Sequence, residues 1–355
     1  MSGSESFRVS SYRGPYQVRR ESLRSALSAG ALSGDRLIVD AVVQRLHSDV
    51  TNPFTESQML VVQADEGLKS LDGVGTILSW LLDSGFNRAG TLYVVGGGTV
   101  QDAASFVASI LHRGVRWIFA PTTLLAQGDS CIGSKSSLNH GGYKNQLGTF
   151  YAPSEVIIDE GFLSTLTAQE VRAGLGEILH YAVLGGTDFF DAFEQGLLAG
   201  WEMMRPDQMS AHAMSAMRVK RPFVEADEFD TDVRKNLNLG HTFAHGIEFA
   251  SGARISHGVA VAYGVDMAVS YSAARGLASP RVLERVQRVV RRIVDGFELS
   301  LVTPDRLIDG MAKDKKRSTD GLELVLIEDL GRPVRITVPI DARLERFVSL
   351  YVQSW

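Results

Sequence analysis

The stretch Thr91-Leu-Tyr-Val-Val95-Gly96-Gly97-Gly98-Thr-Val100 sets five residues of buried-strand character directly against three glycines, and a helical period follows over 100–111. Strand into glycine into helix is a phosphate-binding arrangement. Glycine lets a pyrophosphate come close to the main chain, and the amino end of the helix offers free N–H groups and the positive end of its dipole. The pattern is not G-x-G-x-x-G, and a tight turn with no ligand reads the same way, so both readings stay open here. Strand-like runs at 36–40, 59–62, 116–120 and 155–159 surround it, with a helix ending near Leu82 between two of them. Strands alternating with helices predict a parallel sheet covered on both faces. The first thirty residues carry no clear role, and Pro121-Thr-Thr opens a polar, glycine-containing loop region through Asn145.

After about Phe162 the period changes to that of helices, at 168–183, 188–198, 209–226, 233–250, 259–275 and 280–297. A strand pair near 322–327 and 334–338 precedes a closing helix over 342–352. The expected division is therefore an α/β domain over 1–162 and a mostly helical domain over 163–355. A length of 355 residues also suggests two domains rather than one.

Composition excludes several function classes. A net charge of −5 with no long basic block argues against nucleic acid as a partner. The start, Met1-Ser-Gly-Ser-Glu5, has no apolar core of a signal peptide, and the run around 259–269 is too short to span a bilayer and is interrupted by Asp266. The single cysteine, Cys131, excludes an internal disulfide, reads as a small buried residue and fits a reducing cytoplasm.

The helical half holds a second pattern, Asn238-Leu-Gly240-His241-Thr-Phe-Ala-His245. Spacings of three and four would put Asn238, His241 and His245 on one face of a helix. His257 follows sixteen residues after His241, and Glu177 in Gly174-Leu-Gly-Glu-Ile-Leu-His180 is an upstream acidic candidate. A catalytic zinc takes three protein ligands and leaves one position open. Hydrogen-bonded histidines without a metal have the same spacing, so this reading too stays open. Lys135, Lys144 and Asn145 lie in the polar loop with Asp129, and Lys220 and Arg234 flank the histidine segment; such groups suit an anionic substrate.

Taken together, Gly96-Gly-Gly-Thr-Val-Gln-Asp102, Arg113-Gly-Val, Pro121-Thr-Thr-Leu-Leu-Ala-Gln, Asp129-Ser-Cys-Ile-Gly-Ser-Lys135, Lys144-Asn145, Glu177, Asn238-Leu-Gly-His241 and His257-Gly resemble the 3-dehydroquinate synthase family of sugar-phosphate cyclases, from about Asp40 to Lys316. The resemblance implies a Rossmann-like dinucleotide-binding domain followed by a helical metal- and substrate-binding domain. It implies NAD held by Asp40, Glu66, Lys69, Gly96, Gly97, Gly98, Asp102, Thr122, Thr123 and Lys144. It implies zinc or cobalt held by Glu177, His241 and His257. The substrate phosphate would meet Lys135, Asn145, Asn238, His245 and Lys315 or Lys316, with Arg113 reaching the phosphate of a neighbouring subunit in a homodimer. Lys220 and Arg234 would hold a substrate carboxylate, and Asp129, Lys135, His180, Asn238 and His245 complete the catalytic set, His245 as a proton shuttle. The implied reaction oxidises and re-reduces the sugar within one turnover, expels phosphate by β-elimination and closes a carbocycle by an intramolecular aldol step.

Several residues depart from the family pattern. His180 stands where the family has lysine, Gly133-Ser-Lys135 replaces Gly-Gly-Lys, Gly128 precedes Asp129, and Asn139-His-Gly-Gly-Tyr-Lys-Asn145 lacks the usual Pro-Leu-Gly-Lys-Asn form. These bear on the substrate side. They leave 3-deoxy-arabino-heptulosonate 7-phosphate as the expected substrate, with a natural-product cyclase making aminodehydroquinate, a valiolone or 2-deoxy-scyllo-inosose as the alternative. A metal-dependent polyol dehydrogenase, disfavoured by the phosphate-binding set, is a third reading, and an NAD-binding regulator with a decayed site a fourth.

Overall fold

The computed structural model describes residues 5–28, 30–141, 143–313, 317–318 and 321–355. It divides into two compact units. The first comprises Met1–Thr167, Arg205–Met217 and Val224–Phe229; the second comprises Ala168–Met204, Arg218–Phe223 and Asp230–Trp355.

In chain order the first unit begins with β1 (Ser6–Val9), β2 (Tyr16–Arg20), α1 (Leu23–Ala26), β3 (Arg36–Asp40), α2 (Ala41–Leu46) and β4 (Met59–Val62). It continues through α3 (Leu71–Asp83), β5 (Leu92–Gly96), α4 (Gly98–Ile110), β6 (Trp117–Pro121), β7 (Leu138–His140), β8 (Tyr143–Leu147) and β9 (Glu155–Ile158). Seven strands form one sheet in the order β1-β2-β9-β6-β5-β3-β4. All neighbours are parallel except β1, which pairs antiparallel with β2. β1 and β2, in a region unassigned from sequence, thus supply the edge of the sheet. β7 and β8 form a separate hairpin within what the sequence suggests is loop.

Alternation along the strands builds two cores, because successive side chains point to opposite faces. Ile38, Val94, Phe119 and Val156 pack on one face with Val100, Ala104 and Trp117. Leu37, Val39, Val95, Ile118 and Ile157 pack on the other with Leu23, Val43 and Phe162. Burial on both faces explains why these strands read as continuous apolar runs. The chain turns in opposite directions from β3 (to β4 on one side, β5 on the other), so the carboxyl ends of β3 and β5 flank the switch point where such sheets bind ligands. Cys131 is fully buried, its Sγ 3.2 Å from Met217 Sδ.

The helical elements that follow are α5 (Ala168–Leu184), α6 (Thr187–Gly200), α7 (Pro206–Ala226), α8 (His241–Ser251), α9 (His257–Ala274), α10 (Pro280–Val294) and α11 (Pro304–Ala312). A three-stranded sheet of β10 (Arg317–Ser318), β11 (Gly321–Asp329) and β12 (Arg332–Val338) precedes α12 (Ala342–Gln353). Within the second unit α9 is the central helix. Val259, Val261, Tyr263, Val265, Met267 and Val269 are all buried, so it is covered all round rather than amphipathic. α10 shows the opposite pattern, with Val282, Val286, Val289, Val290 and Ile293 buried and arginines between them. No helix among the described residues is long and apolar enough to cross a membrane.

The helix read over 233–250 is not continuous. A 3-10 segment, Val233–Asn238, is followed by a break, and α8 begins at His241. Gly240 causes the break: its φ is +79°, and a Cβ there would lie 2.5 Å from the Val265 nitrogen. Asn238 therefore does not share a helical face with His241 and His245.

Candidate functional site

In the first unit, β5 ends in Gly96 and α4 starts at Gly98, with Gly97 capping the helix without a side chain. A Cβ at Gly96 would lie 2.7 Å from Val100 Cβ, so the close packing of strand end on helix requires glycine. The amino end of α4 is left to its own N–H groups, a ready anion site. Asp40 ends the adjacent strand β3, one position beyond the Val39–Val95 pair, and its Oδ1 accepts from Val42 N–H at 2.8 Å. Thr122 follows β6 on the other side, its N–H 3.0 Å from Gly96 O, and Thr123 Oγ1 accepts from Ala126 N–H at 3.1 Å. These residues from three neighbouring strands share the carboxyl edge of the sheet.

A second group gathers around Lys69. Its ammonium lies 2.7 Å from Asp102 Oδ2 and donates to Asn145 Oδ1 at 3.1 Å. Burial pushes the Asp102 carboxyl above its usual range, and Lys69 opposes that shift. Glu66 lies 3.7 Å from the Lys144 ammonium and accepts from the Asn139 amide. Asn139, which sequence reasoning missed, organises this loop: its N–H donates to Lys69 O at 2.7 Å and its Oδ1 accepts from Asn145 N–H at 3.0 Å. The Asn139-His-Gly-Gly spacing of a turn was the available signal. Asn145 itself has a left-handed φ of 56°. Asp129 sits in a π-type turn, Ala126–Ser130, closed by Cys131 N–H on Ala126 O at 3.1 Å; such turns recur at functional positions.

Arg113 is not brought to the glycine turn. It follows the far end of α4, about 20 Å of helix away, and is exposed with φ 64°. Lys135 is exposed, opposite Phe150 in an isolated bridge.

In the second unit, Glu177, His241 and His257 converge. Glu177 lies within α5 and is 2% exposed; His241 and His257 are the first residues of α8 and α9. His241 Nε2 is 3.4 Å and His257 Nε2 3.6 Å from the Glu177 carboxylate. Donors about 2.1 Å from a tetrahedral ion stand roughly 3.4 Å apart, so these spacings fit a ligand set. The Nδ1 atoms have partners of their own. His241 Nδ1 faces Leu239 O at 3.3 Å and His257 Nδ1 faces Glu248 Oε2 at 3.0 Å. Both partners are acceptors, which puts the proton on Nδ1 and leaves each Nε2 lone pair aimed toward Glu177. The chain therefore presents one carboxylate and two imidazole Nε2 atoms, the donor chemistry of a zinc or cobalt centre.

Each of the three ligand candidates adjoins a glycine at a helix contact. A Cβ at Gly176 would lie 1.9 Å from Gly258 O, and one at Gly258 would lie 1.8 Å from Ala173 O. A Cβ at Gly264 would lie 2.1 Å from Gly240 O. Only glycine allows α5, α8 and α9 to come this close. His180 is 1% exposed; its Nδ1 donates to Glu177 O at 2.7 Å and its ring packs edge-on to His241, centroids 5.2 Å apart. His245 lies one turn beyond His241, centroid 6.1 Å away. Lys220 and Arg234 are each 6% exposed in this unit. Asn238, at the end of its 3-10 segment, donates to Lys235 O at 3.0 Å. Lys315 and Lys316 lie outside the described residues. Glu248, which sequence reasoning missed, stands seven residues after His241 and so on the histidine face of α8.

Residues 59–173 match the model of the 3-dehydroquinate synthase N-terminal region and residues 174–317 that of the C-terminal region. A 3-dehydroquinate synthase of Alkaliphilus metalliredigens (strain QYMF) is 32% identical over 323 residues, 89% of this chain and 90% of that protein. The structure of ValA, a 2-epi-5-epi-valiolone synthase of Streptomyces hygroscopicus subsp. jinggangensis 5008 with NAD+ and Zn2+ bound, superposes with a TM-score of 0.84 at 26% identity, covering 96% of each chain. A 2-deoxy-scyllo-inosose synthase with carbaglucose-6-phosphate, NAD+ and Co2+ gives a TM-score of 0.85 at 22% identity over 98% of this chain and 100% of that one, a likeness of fold. By matched regions, identity and coverage, the chain belongs to the 3-dehydroquinate synthase family.

Proposed function

We propose that the chain is a 3-dehydroquinate synthase that converts 3-deoxy-arabino-heptulosonate 7-phosphate to 3-dehydroquinate and phosphate, with NAD and a divalent metal bound. The observation that carries the reading is the convergence of two Nε2 atoms on the buried Glu177 carboxylate. When bound, the metal polarises substrate hydroxyls and NAD serves as a transient oxidant that is regenerated. Glu177, His241 and His257 would hold the metal, and zinc and cobalt both suit one carboxylate and two imidazoles. The carboxyl edge of the sheet, with Asp40, Gly96, Gly97, Gly98, Thr122 and Thr123, would hold the dinucleotide, and Glu66, Lys69, Asp102 and Lys144 would line its other side.

Lys220 and Arg234 would bind the substrate carboxylate; two buried cations suit a planar anion more than a neutral sugar. Lys135, Asn145, Asn238, His245 and Lys315 or Lys316 would hold the phosphate, with His245 placed to relay a proton and Asp129 completing the set. Arg113, exposed and far from its own glycine turn, suits reaching the phosphate in a second copy of a homodimer. We place the activity in the cytoplasm.

The second reading is a natural-product cyclase, and His180 is the observation that favours it. A buried imidazole that donates to Glu177 O stands where the family has a lysine cation. Phosphate release from 3-deoxy-arabino-heptulosonate 7-phosphate, with NAD and zinc supplied and NADH absorbance followed, tests both. Rapid release without NADH accumulation supports the synthase. No release with that substrate, but release from its amino analogue, sedoheptulose 7-phosphate or glucose 6-phosphate, assigns the natural-product branch. Accumulating NADH would mean a polyol dehydrogenase.

A further inference from the structure

We propose that Glu248 is a positioning residue that orients His257 toward the metal, an inference that rests on the reading of Glu177, His241 and His257 as ligands. Glu248 Oε2 lies 3.0 Å from His257 Nδ1, while the same ring turns Nε2 toward Glu177 Oε2 at 3.6 Å. A carboxylate can only accept there, so it selects the tautomer whose Nε2 lone pair is available.

The two histidines differ in what holds them. His241 is 13% exposed and its Nδ1 faces a main-chain carbonyl, that of Leu239. The His257 side chain is 37% exposed and hangs from the first residue of α9. Packing alone restrains it less, so a side-chain partner has more to do. Glu248 is well anchored for that purpose: it sits in the last turn of α8, where its carbonyl accepts from Ala253 N–H at 2.9 Å in the helix cap. It shares a face with His241 and His245, seven and three residues back. His245, Glu248 and His257 also form a second group of donor atoms within 4.8 Å of one another, so Glu248 as a direct ligand is the competing arrangement.

Zinc affinity, measured by competition with a chromophoric chelator, and zinc content per chain separate these cases in the wild type, Glu248→Ala, Glu248→Gln and His257→Ala. The expected result is one zinc per wild-type chain, affinity about 10- to 100-fold weaker in Glu248→Ala, and metal-free melting close to wild type. Glu248→Gln, whose amide oxygen still accepts from Nδ1, should recover most of the loss, and it remains informative where the alanine variant does not fold. Wild-type affinity in Glu248→Ala together with loss of zinc in His257→Ala would overturn the positioning role and leave the metal reading standing. Two zincs in the wild type with one lost in Glu248→Ala would overturn it in favour of the second donor group. Failure of the wild type to bind zinc, or binding indifferent to His257→Ala, would overturn the metal reading itself.

Discussion

Gly176 of α5 and Gly258 of α9 meet main chain to main chain: a Cβ on the first would stand 1.9 Å from the carbonyl oxygen of the second. Their sequence neighbours Glu177 and His257 are two of the three residues whose donor atoms converge. The helix contact and the site are thus one feature. Gly258→Ala must push α9 away from Ala173 and Gly176, at a cost of about 1–3 kcal/mol for overpacking. Urea unfolding should show that loss, and zinc affinity should fall with it. Full metal affinity in a folded Gly258→Ala protein would mean that the ligands do not depend on this contact.

Removing the metal should silence the enzyme without unfolding it. Dialysis against a chelator is expected to lower phosphate release by at least about 100-fold, since the ion stabilises several kcal/mol of developing charge, and added zinc or cobalt should restore it. His241→Ala should give the same loss with no rescue by metal, while circular dichroism stays native. Turnover of His241→Ala in the presence of chelator would refute the ligand assignment.

Lys69 faces two partners, Asp102 at 2.7 Å and Asn145 at 3.1 Å. Lys69→Met leaves the Asp102 carboxylate without this cation in a partly buried setting, and a stability loss of about 1–2 kcal/mol is expected at pH 8. Burial already raises the Asp102 pKa, so protonation should shrink the loss at pH 5. NAD affinity, followed by nucleotide fluorescence quenching, should fall as well; an unchanged dissociation constant would remove Lys69 from the nucleotide site.

Asp266 lies in α9, fully buried, with Tyr351 OH donating to its Oδ2 at 2.6 Å. Burial pushes its carboxyl up to about 6, opposed by the bonds from Tyr351, Gln287 and Trp355 and by Arg291. Its folded pKa is therefore above the unfolded one, so the folded state binds the extra proton. The associated stability is fully present below about pH 4 and is lost as pH rises through about 6. Asp266→Asn keeps an acceptor for Tyr351 and never ionises. Relative to wild type it should gain about 2–3 kcal/mol between pH 4 and pH 7 in denaturant titrations. A difference independent of pH would show that Asp266 does not titrate in this range.

The α/β half was legible because its strands, buried on both faces, are short apolar runs closed by turn residues, and the glycine turn after β5 follows directly from Thr91–Gly98 in the chain. The helices expected over 168–183 and 259–275 are found at Ala168–Leu184 and His257–Ala274, the second legible as a long apolar run rather than as an amphipathic period. The break at Gly240 was not, since it depends on α9 pressing against that residue, a contact between segments twenty-five residues apart. Sequence alone determined the fold class, the family resemblance, and the residue types offered to a nucleotide, a metal and an anion. Only the tertiary structure decided which nitrogen of each histidine faces Glu177, that Asn238 leaves the histidine face, that His180 is buried against His241, and that Glu248 stands behind His257. Those are matters of direction and distance, set by glycine contacts and hydrogen-bond acceptors that lie close in space and far apart along the chain.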